Sequence, residues 1–290
     1  MLSPRLLNRL RPLRLNLAGP SRAQEGSHRS RSRGRSLEFS EHREYVPGDD
    51  LRHLDWNVYA RLERHVVKVF QAELEQPLYV LFDASASMGP DKLSTALKLA
   101  GALAFIGLGA GDRVGLLGLP STSAGLPTVR GLNQWYRLTH YLQTHTPQGE
   151  ARLSASLRNF GLSHSRPGQV IVISDFLEPD GGLEGLNFLT YQKHRVSVLQ
   201  ILSLEDLNPD FKGDVRLIDR ELLINREMTL DARILKHYQL CLQEHNFALK
   251  DWCRRHSSFY WQLGCAPETE ADDFLANLLA RDLTRAGLIR

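Results

Sequence analysis

Leu78-Tyr79-Val80-Leu81-Phe82-Asp83-Ala84-Ser85-Ala86-Ser87 reads as a strand running straight into a polar turn. Its first five residues are apolar without interruption, as expected of a strand buried on both faces. An acid and two hydroxyl residues follow at once. Residues 91–110 then carry apolar side chains at helical spacing, among them Leu93, Ala96, Leu97, Ala100, Leu103 and Ala104. A buried strand, a polar turn and a helix predict the first unit of an open parallel sheet, where ligands meet the carboxyl ends of strands.

The pattern recurs downstream. Strands are predicted at 114–119, 170–174, 196–202 and 259–263, with a short edge strand at 127–130. Helices are predicted at 134–145, 153–162, 183–194, 230–256 and 271–286. This alternation gives the class: α/β, a mostly parallel sheet flanked by helices on both faces. The polar stretch 209–228, with Val215-Arg216-Leu217-Ile218 and Leu222-Leu223-Ile224, reads as an inserted β-hairpin.

Upstream, leucines at 2, 6, 7, 10 and 13 predict a short helix that docks on the body and ends before Gly19-Pro20. An Arg-rich, acid-poor start is also the composition of a transit peptide. Residues 21–36 read as a loop or strap. Residues 37–76 alternate charged and bulky groups, turn at Val46-Pro47-Gly48-Asp49-Asp50, and hold a strand at 66–70. The expected organisation is a basic arm (1–36), an N-terminal extension (37–76) and the α/β domain (77–290).

Composition narrows the classes. The chain has 290 residues, 42% apolar and 24% charged, which excludes a wholly disordered chain, a collagen and a coiled-coil rod. Its longest uncharged apolar run, 99–111, has 13 residues and reads as a core helix, too short to span a bilayer. Cys241, Cys253 and Cys265 form no CxxC pair, so a reducing, cytoplasmic compartment and no structural zinc are expected. The net charge is +3, but residues 1–35 hold nine arginines and one acid, and the remainder is net acidic. A basic arm suits nucleic acid, membrane or an acidic partner. No aromatic stacking pattern accompanies it, so nucleic-acid binding is the lesser expectation.

The candidate chemistry sits at the strand ends. Asp83, Ser85 and Ser87 can aim three oxygens at one point from a tight turn, and Asp175 follows the predicted strand 170–174 at the same sheet edge. Hard oxygen ligands suit Mg²⁺ or Mn²⁺. Further back, Asp49, Asp50, Arg52, Asp55 and Trp56 form a second candidate surface, for partner binding. Its structural reading is that Asp55 caps a helix, Arg52 pairs with Asp55, and Trp56 anchors the extension. There is no GxSxG, HExxH or GxxxxGK motif. Gly107-x-Gly109-x-Gly111 lies between a helix and a strand and reads as a helix C-cap.

Asp83-Ala84-Ser85-Ala86-Ser87-Met88-Gly89 with Ser174-Asp175 resembles the metal-ion-dependent adhesion site of von Willebrand factor type A domains. Gly34-Arg35-Ser36-Leu37-Glu38-Phe39, residues 43–52, Leu54-Asp55-Trp56 and Ala60-Arg61 resemble the signature of the bacterial family called domain of unknown function 58. The resemblance covers roughly residues 22–290. It implies a von Willebrand type A-like (Rossmann-like) fold, and a non-enzymatic protein-interaction module working with a MoxR-type AAA+ ATPase and its client in assembly, maturation or stress response. It also implies Asp83, Ser85, Ser87 and Asp175 as ligands of Mg²⁺ or Mn²⁺, with an open position for a partner's carboxylate. One departure marks the site as degenerate: Ala151 stands where such domains place a threonine ligand, next to Arg152 and Glu150. The competing expectations are a Mg²⁺-dependent phosphoryl-transfer enzyme using Asp83, and nucleic-acid binding through the basic arm. The first would want an acid where Ser85 stands, and a lysine near the second acidic loop.

Overall fold

The structure, a computed structural model, describes residues 2–16, 37–47, 49–72, 76–120, 125–150, 152–209, 213–218, 225–265 and 271–290. The strap expected at 21–36, the tip of the predicted hairpin and Ala151 lie outside them. The chain forms two compact units: residues 22–75, and residues 1–21 with 76–290. The start of the basic arm therefore groups with the sheet.

Helix α1 (Pro4–Leu10) begins where Ser3 Oγ accepts the Leu6 amide at 3.2 Å, with proline just inside the start. It buries Leu6 and Leu10, the docked helix that the leucine spacing predicts.

The smaller unit pairs β1 (Leu37–Glu44) with β2 (Val66–Ala72) in antiparallel register, with a bulge between Phe39 and Glu41. Between them lies α2 (Trp56–Leu62), whose N-cap is Asp55. Asp55 Oδ1 accepts the amides of Asn57 and Val58 at 3.0 and 3.3 Å, as the capping reading requires. Leu54, Val66 and Val67 are buried here.

The larger unit contains β3 (Leu78–Asp83), α3 (Gly89–Ala110), β4 (Arg113–Leu119), β5 (Val129–Arg130), α4 (Trp135–Gln143), α5 (Leu153–Ser163), β6 (Gln169–Ser174), α6 (Leu183–Tyr191) and β7 (Arg195–Leu202). It continues through α7 (Leu204–Leu207), β8 (Gly213–Ile218), β9 (Asn225–Leu230), α8 (Ala232–Arg255), β10 (Phe259–Gly264) and α9 (Ala271–Asn277). The sheet order is β10-β7-β6-β3-β4-β5. All pairings are parallel except the short edge strand β5, which is antiparallel to β4. Strands β8 and β9 pair separately as the antiparallel hairpin expected in 209–228.

Both sheet faces are covered. Along β3, Leu78, Val80 and Phe82 join a core with α1, α3 and α9, while Tyr79 and Leu81 join a second core with α5, α6 and α8. That two-sided burial is why the strand reads as a continuous apolar run. Helix α3 lies close to the sheet at Gly107, where a Cβ would stand 2.8 Å from Leu78 and 3.0 Å from Val114. Gly111, with φ +85°, ends it as the expected C-cap. The segment Ala86–Ala110 is long and apolar enough to cross a membrane, but 72% of its most apolar window is buried in this fold.

Strand β3 is the switch point. Its successor β4 lies on one side, while β6, β7 and β10 lie on the other. The crevice outside the carboxyl ends of β3 and β6 is where an open sheet of this kind receives a ligand. Asp83 ends β3, and Asp175 follows β6.

Candidate functional site

The loop after β3 is built from its own short side chains. Asp83 Oδ1 accepts the Ser85 amide at 2.9 Å, which turns the chain sharply out of the strand. Asp83 Oδ2 accepts the Ser174 hydroxyl at 2.7 Å, tying β3 to the end of β6. The hydroxyls of Ser85 and Ser87 lie 2.8 Å apart. A 3₁₀ turn, Ala86–Met88, leads into α3 through Gly89 at φ +54°. Asp83 and Ser85 are buried, whereas Ser87 is half-buried and reaches the surface.

A second loop is clamped onto the first through backbone. The Gln148 amide donates to Ala84 O at 2.9 Å, and the Ala86 amide donates to Gly149 O at 3.0 Å. Beside it, Arg152 donates to Glu150 Oε2 at 2.6 Å, so the cation next to the loop is already balanced. Ala151, read as the missing ligand position, is not among the described residues.

The third loop follows β6. Asp175 Oδ1 accepts the Leu177 amide at 3.2 Å, and its backbone carbonyl accepts from Gln200 Nε2 at 3.0 Å. Its other carboxylate oxygen meets a cation that the sequence reading did not include. Lys92 Nζ lies 2.5 Å from Asp175 Oδ2 and 3.3 Å from Asp206 Oδ2. Asp206 is held by a capping box with Ser203 at the start of α7. Lys92 therefore bridges the loops after β6 and β7 from the first turn of α3. Its side chain is only 10% exposed.

Electrostatics follow from this burial. Desolvation first, and then the nearby charge of Asp175, push the Asp83 carboxyl up to about 6, although hydrogen bonds from Ser85 and Ser174 oppose the rise. Burial works against the Lys92 ammonium, but Asp175 and Asp206 outweigh it and raise its pKa. Among the described residues, every buried side-chain nitrogen and oxygen has a hydrogen-bond partner.

Asp83, Ser85, Ser87 and Asp175 are thus brought to one sheet edge. A divalent ion of the kind the resemblance implies would have to share or displace the contacts these residues already make. Each of the four already has a protein partner, and the second carboxylate holds an ammonium. No group of three or more His, Cys, Asp or Glu suited to a metal occurs among the described residues.

The residues of the second candidate set also make local contacts. Arg43 Nη2 donates to both oxygens of Asp49 at 2.8 Å. Arg52 pairs with Asp50 at 2.9 Å and not with Asp55, because the 3₁₀ turn Leu51–His53 brings residues two apart together. Asp55 instead meets His42 Nε2 at 3.0 Å. Trp56 is 62% exposed and lies edge-on to Tyr59.

Lys92 and Asp206 are the site residues that sequence reasoning missed. A signal exists for Lys92: it directly precedes Leu93 on the buried side of an apolar helix. An apolar groove lined by Leu2, Leu97, Gly101, Trp135 and Leu142 also runs beside α3 and α4. None of these residues belongs to the strand-end loops.

The family model described as "Protein of unknown function DUF58" matches residues 41–247. Uncharacterized proteins of Mycobacterium bovis and Mycobacterium tuberculosis are 28% identical over 253 residues, covering 83% of this chain and 79% of each relative. A crystal structure described as conserved hypothetical protein BatB from Bacteroides thetaiotaomicron is similar over 72% of this chain and 99% of its own, with 14% identity and a TM-score of 0.42.

Proposed function

The chain belongs to the family described as protein of unknown function DUF58, and on that premise we propose that it is a non-enzymatic interaction module of von Willebrand type A-like fold. Its working face is the carboxyl edge of the sheet, a degenerate adhesion site. The partner is a MoxR-type AAA+ ATPase with its client, in the cytoplasm, serving assembly, maturation or stress response.

The observation that supports the reading is the pair of clamped loops at the switch point. Backbone hydrogen bonds tie the loop that carries buried Asp83 and Ser85 and half-buried Ser87 to the loop of Gln148 and Gly149, which are exposed. Such an edge offers backbone and hydroxyl groups for hydrogen bonding, which suits the polar part of a protein surface. The partner contact is direct hydrogen bonding from these loops.

Phosphoryl transfer at Asp83 is the second reading. It gains one point, because Lys92 is the lysine that class wants beside the second acid. It loses two: Ser85 stands where a second acid is needed, and both Asp83 oxygens accept hydrogen bonds in a buried site. Nucleic-acid binding by the arm is the lesser reading, because no aromatic stacking pattern accompanies its arginines.

The test is co-purification with the tagged full chain, with mass spectrometry of what is captured. An AAA+ ATPase on wild type that is absent from a Ser87→Arg bait supports the proposal. Equal capture by both baits moves the contact away from this edge. Turnover of a generic phosphate ester that is lost in Asp83→Asn would favour the enzyme reading.

A further inference from the structure

We infer that Lys92 is the resident cation of the strand-end site, so that the site is built to work without a divalent ion. The inference deepens the interaction reading, and it rests on that reading for the site's role but not for its chemistry.

Three observations carry it. First, the ammonium bridges two carboxylates from different loops, 2.5 Å from Asp175 and 3.3 Å from Asp206. That is the job a hard cation does at the edge of such a sheet: it holds acids from successive strand ends together. Second, Lys92 stands in the first turn of α3, where the helix dipole disfavours a positive charge. A buried lysine is found there because the acids require a counter-charge. Third, the remaining ligand candidates are turned toward protein. Asp83 spends one oxygen on the Ser85 amide and the other on the Ser174 hydroxyl, while Ser85 and Ser87 bond each other. A divalent ion entering between Asp83 and Asp175 would compete with all of these bonds and sit near an ammonium.

Removing the lysine charge should create a metal site where none operates, because Asp175 and Asp206 are then left facing each other without a counter-ion.

The experiment is a Mn²⁺ titration of the full chain by electron paramagnetic resonance, using wild type, Lys92→Gln and Ser87→Ala. Wild type should show no saturable submillimolar site, and its thermal midpoint should be the same in Mg²⁺ and in EDTA. Lys92→Gln keeps a hydrogen-bond donor beside Asp175 and should bind Mn²⁺ at least about tenfold more tightly than wild type. A saturable micromolar site in wild type that is weakened in Ser87→Ala would overturn the inference. So would a folded Lys92→Gln with no gain in Mn²⁺ affinity. If Lys92→Gln does not fold, the wild-type titration and the Mg²⁺/EDTA midpoints decide alone. None of these readouts involves a partner protein. Wild-type metal binding would therefore remove the resident cation and leave the interaction face standing, and unchanged capture by Ser87→Arg would do the reverse.

Discussion

Lys92 Nζ lies 2.5 Å from Asp175 Oδ2, linking the first turn of α3 to the residue that follows β6. Both side chains are almost fully enclosed, at 10% and 5% exposure. Breaking such a pair from one side leaves a buried charge without its counter-charge. Lys92→Met is therefore expected to cost about 3–5 kcal/mol, and Lys92→Met with Asp175→Asn should recover a good part of that. Urea unfolding of the two variants checks this. A single variant within about 1 kcal/mol of wild type would mean that the pair is loosely solvated.

Asp83 predicts a pH effect of definite sign. Its carboxyl is raised from 3.8 to about 6, so the folded state holds a proton that the unfolded state releases. The associated stability is full below the unfolded value and lost as pH rises through about 6. A rise of this size corresponds to about 3 kcal/mol at most. Asparagine keeps an acceptor for the Ser85 amide and removes the charge. Asp83→Asn is therefore expected to be more stable than wild type by about 1–3 kcal/mol near pH 8, with the advantage gone near pH 4. An advantage that is constant across this range would contradict the assignment.

His194 predicts the opposite sign. The Gly168 amide donates to Nδ1 at 3.3 Å, and Nε2–H donates to His164 O at 3.1 Å, so the neutral ring satisfies both contacts. Burial pushes its pKa below the usual histidine value. Its contribution is present above the unfolded pKa and lost as pH falls through the folded one. Denaturation curves between neutral and mildly acid pH should show a shallower loss of stability in His194→Gln than in wild type. Equal slopes would place the acid sensitivity elsewhere.

Two glycines separate packing from helix propensity. A Cβ on Gly185 would lie 2.8 Å from Leu157 Cβ and 2.9 Å from the Ser154 backbone, where α5 and α6 touch. A Cβ on Gly109 would meet nothing within 4 Å. Gly185→Ala should cost about 1–3 kcal/mol by overpacking. Gly109→Ala should gain up to about 1 kcal/mol, because alanine is the better helix former. A Gly185→Ala midpoint equal to or above that of wild type would show that α5 and α6 can part without strain.

Much of the sheet was legible in the sequence, because a strand buried on both faces leaves an unbroken apolar run. Residues 78–82, 170–174 and 196–202 all lie within strands of the central sheet. The hairpin, α1 and the Asp55 cap were legible for local reasons: alternation, leucine spacing and a capping residue. What local pattern does not carry is which strands become neighbours. Asp83 and Asp175 were expected at one edge, but the parallel register that places them beside each other depends on β6 crossing to the far side of β3. Lys92 was missed for a related reason. A lysine near a helix start reads as a solvated group, and its partners lie 83 and 114 residues away in sequence. Arg52 was paired with the wrong acid because the 3₁₀ turn at Leu51–His53 was not anticipated. The short helix Leu204–Leu207, which presents Asp206, was not anticipated either.

We propose the strand-end edge around Ser87 as the partner surface. That proposal is tested by the affinity of the purified full chain for a MoxR-type AAA+ ATPase, for wild type and for Ser87→Arg, with unfolding midpoints confirming that both are folded. Affinity is expected to fall at least about tenfold in Ser87→Arg, since a bulky cation there blocks the loops proposed to make the contact. An unchanged affinity in a folded Ser87→Arg would contradict it, and would direct attention to the exposed Trp56 and Tyr59 of the smaller unit.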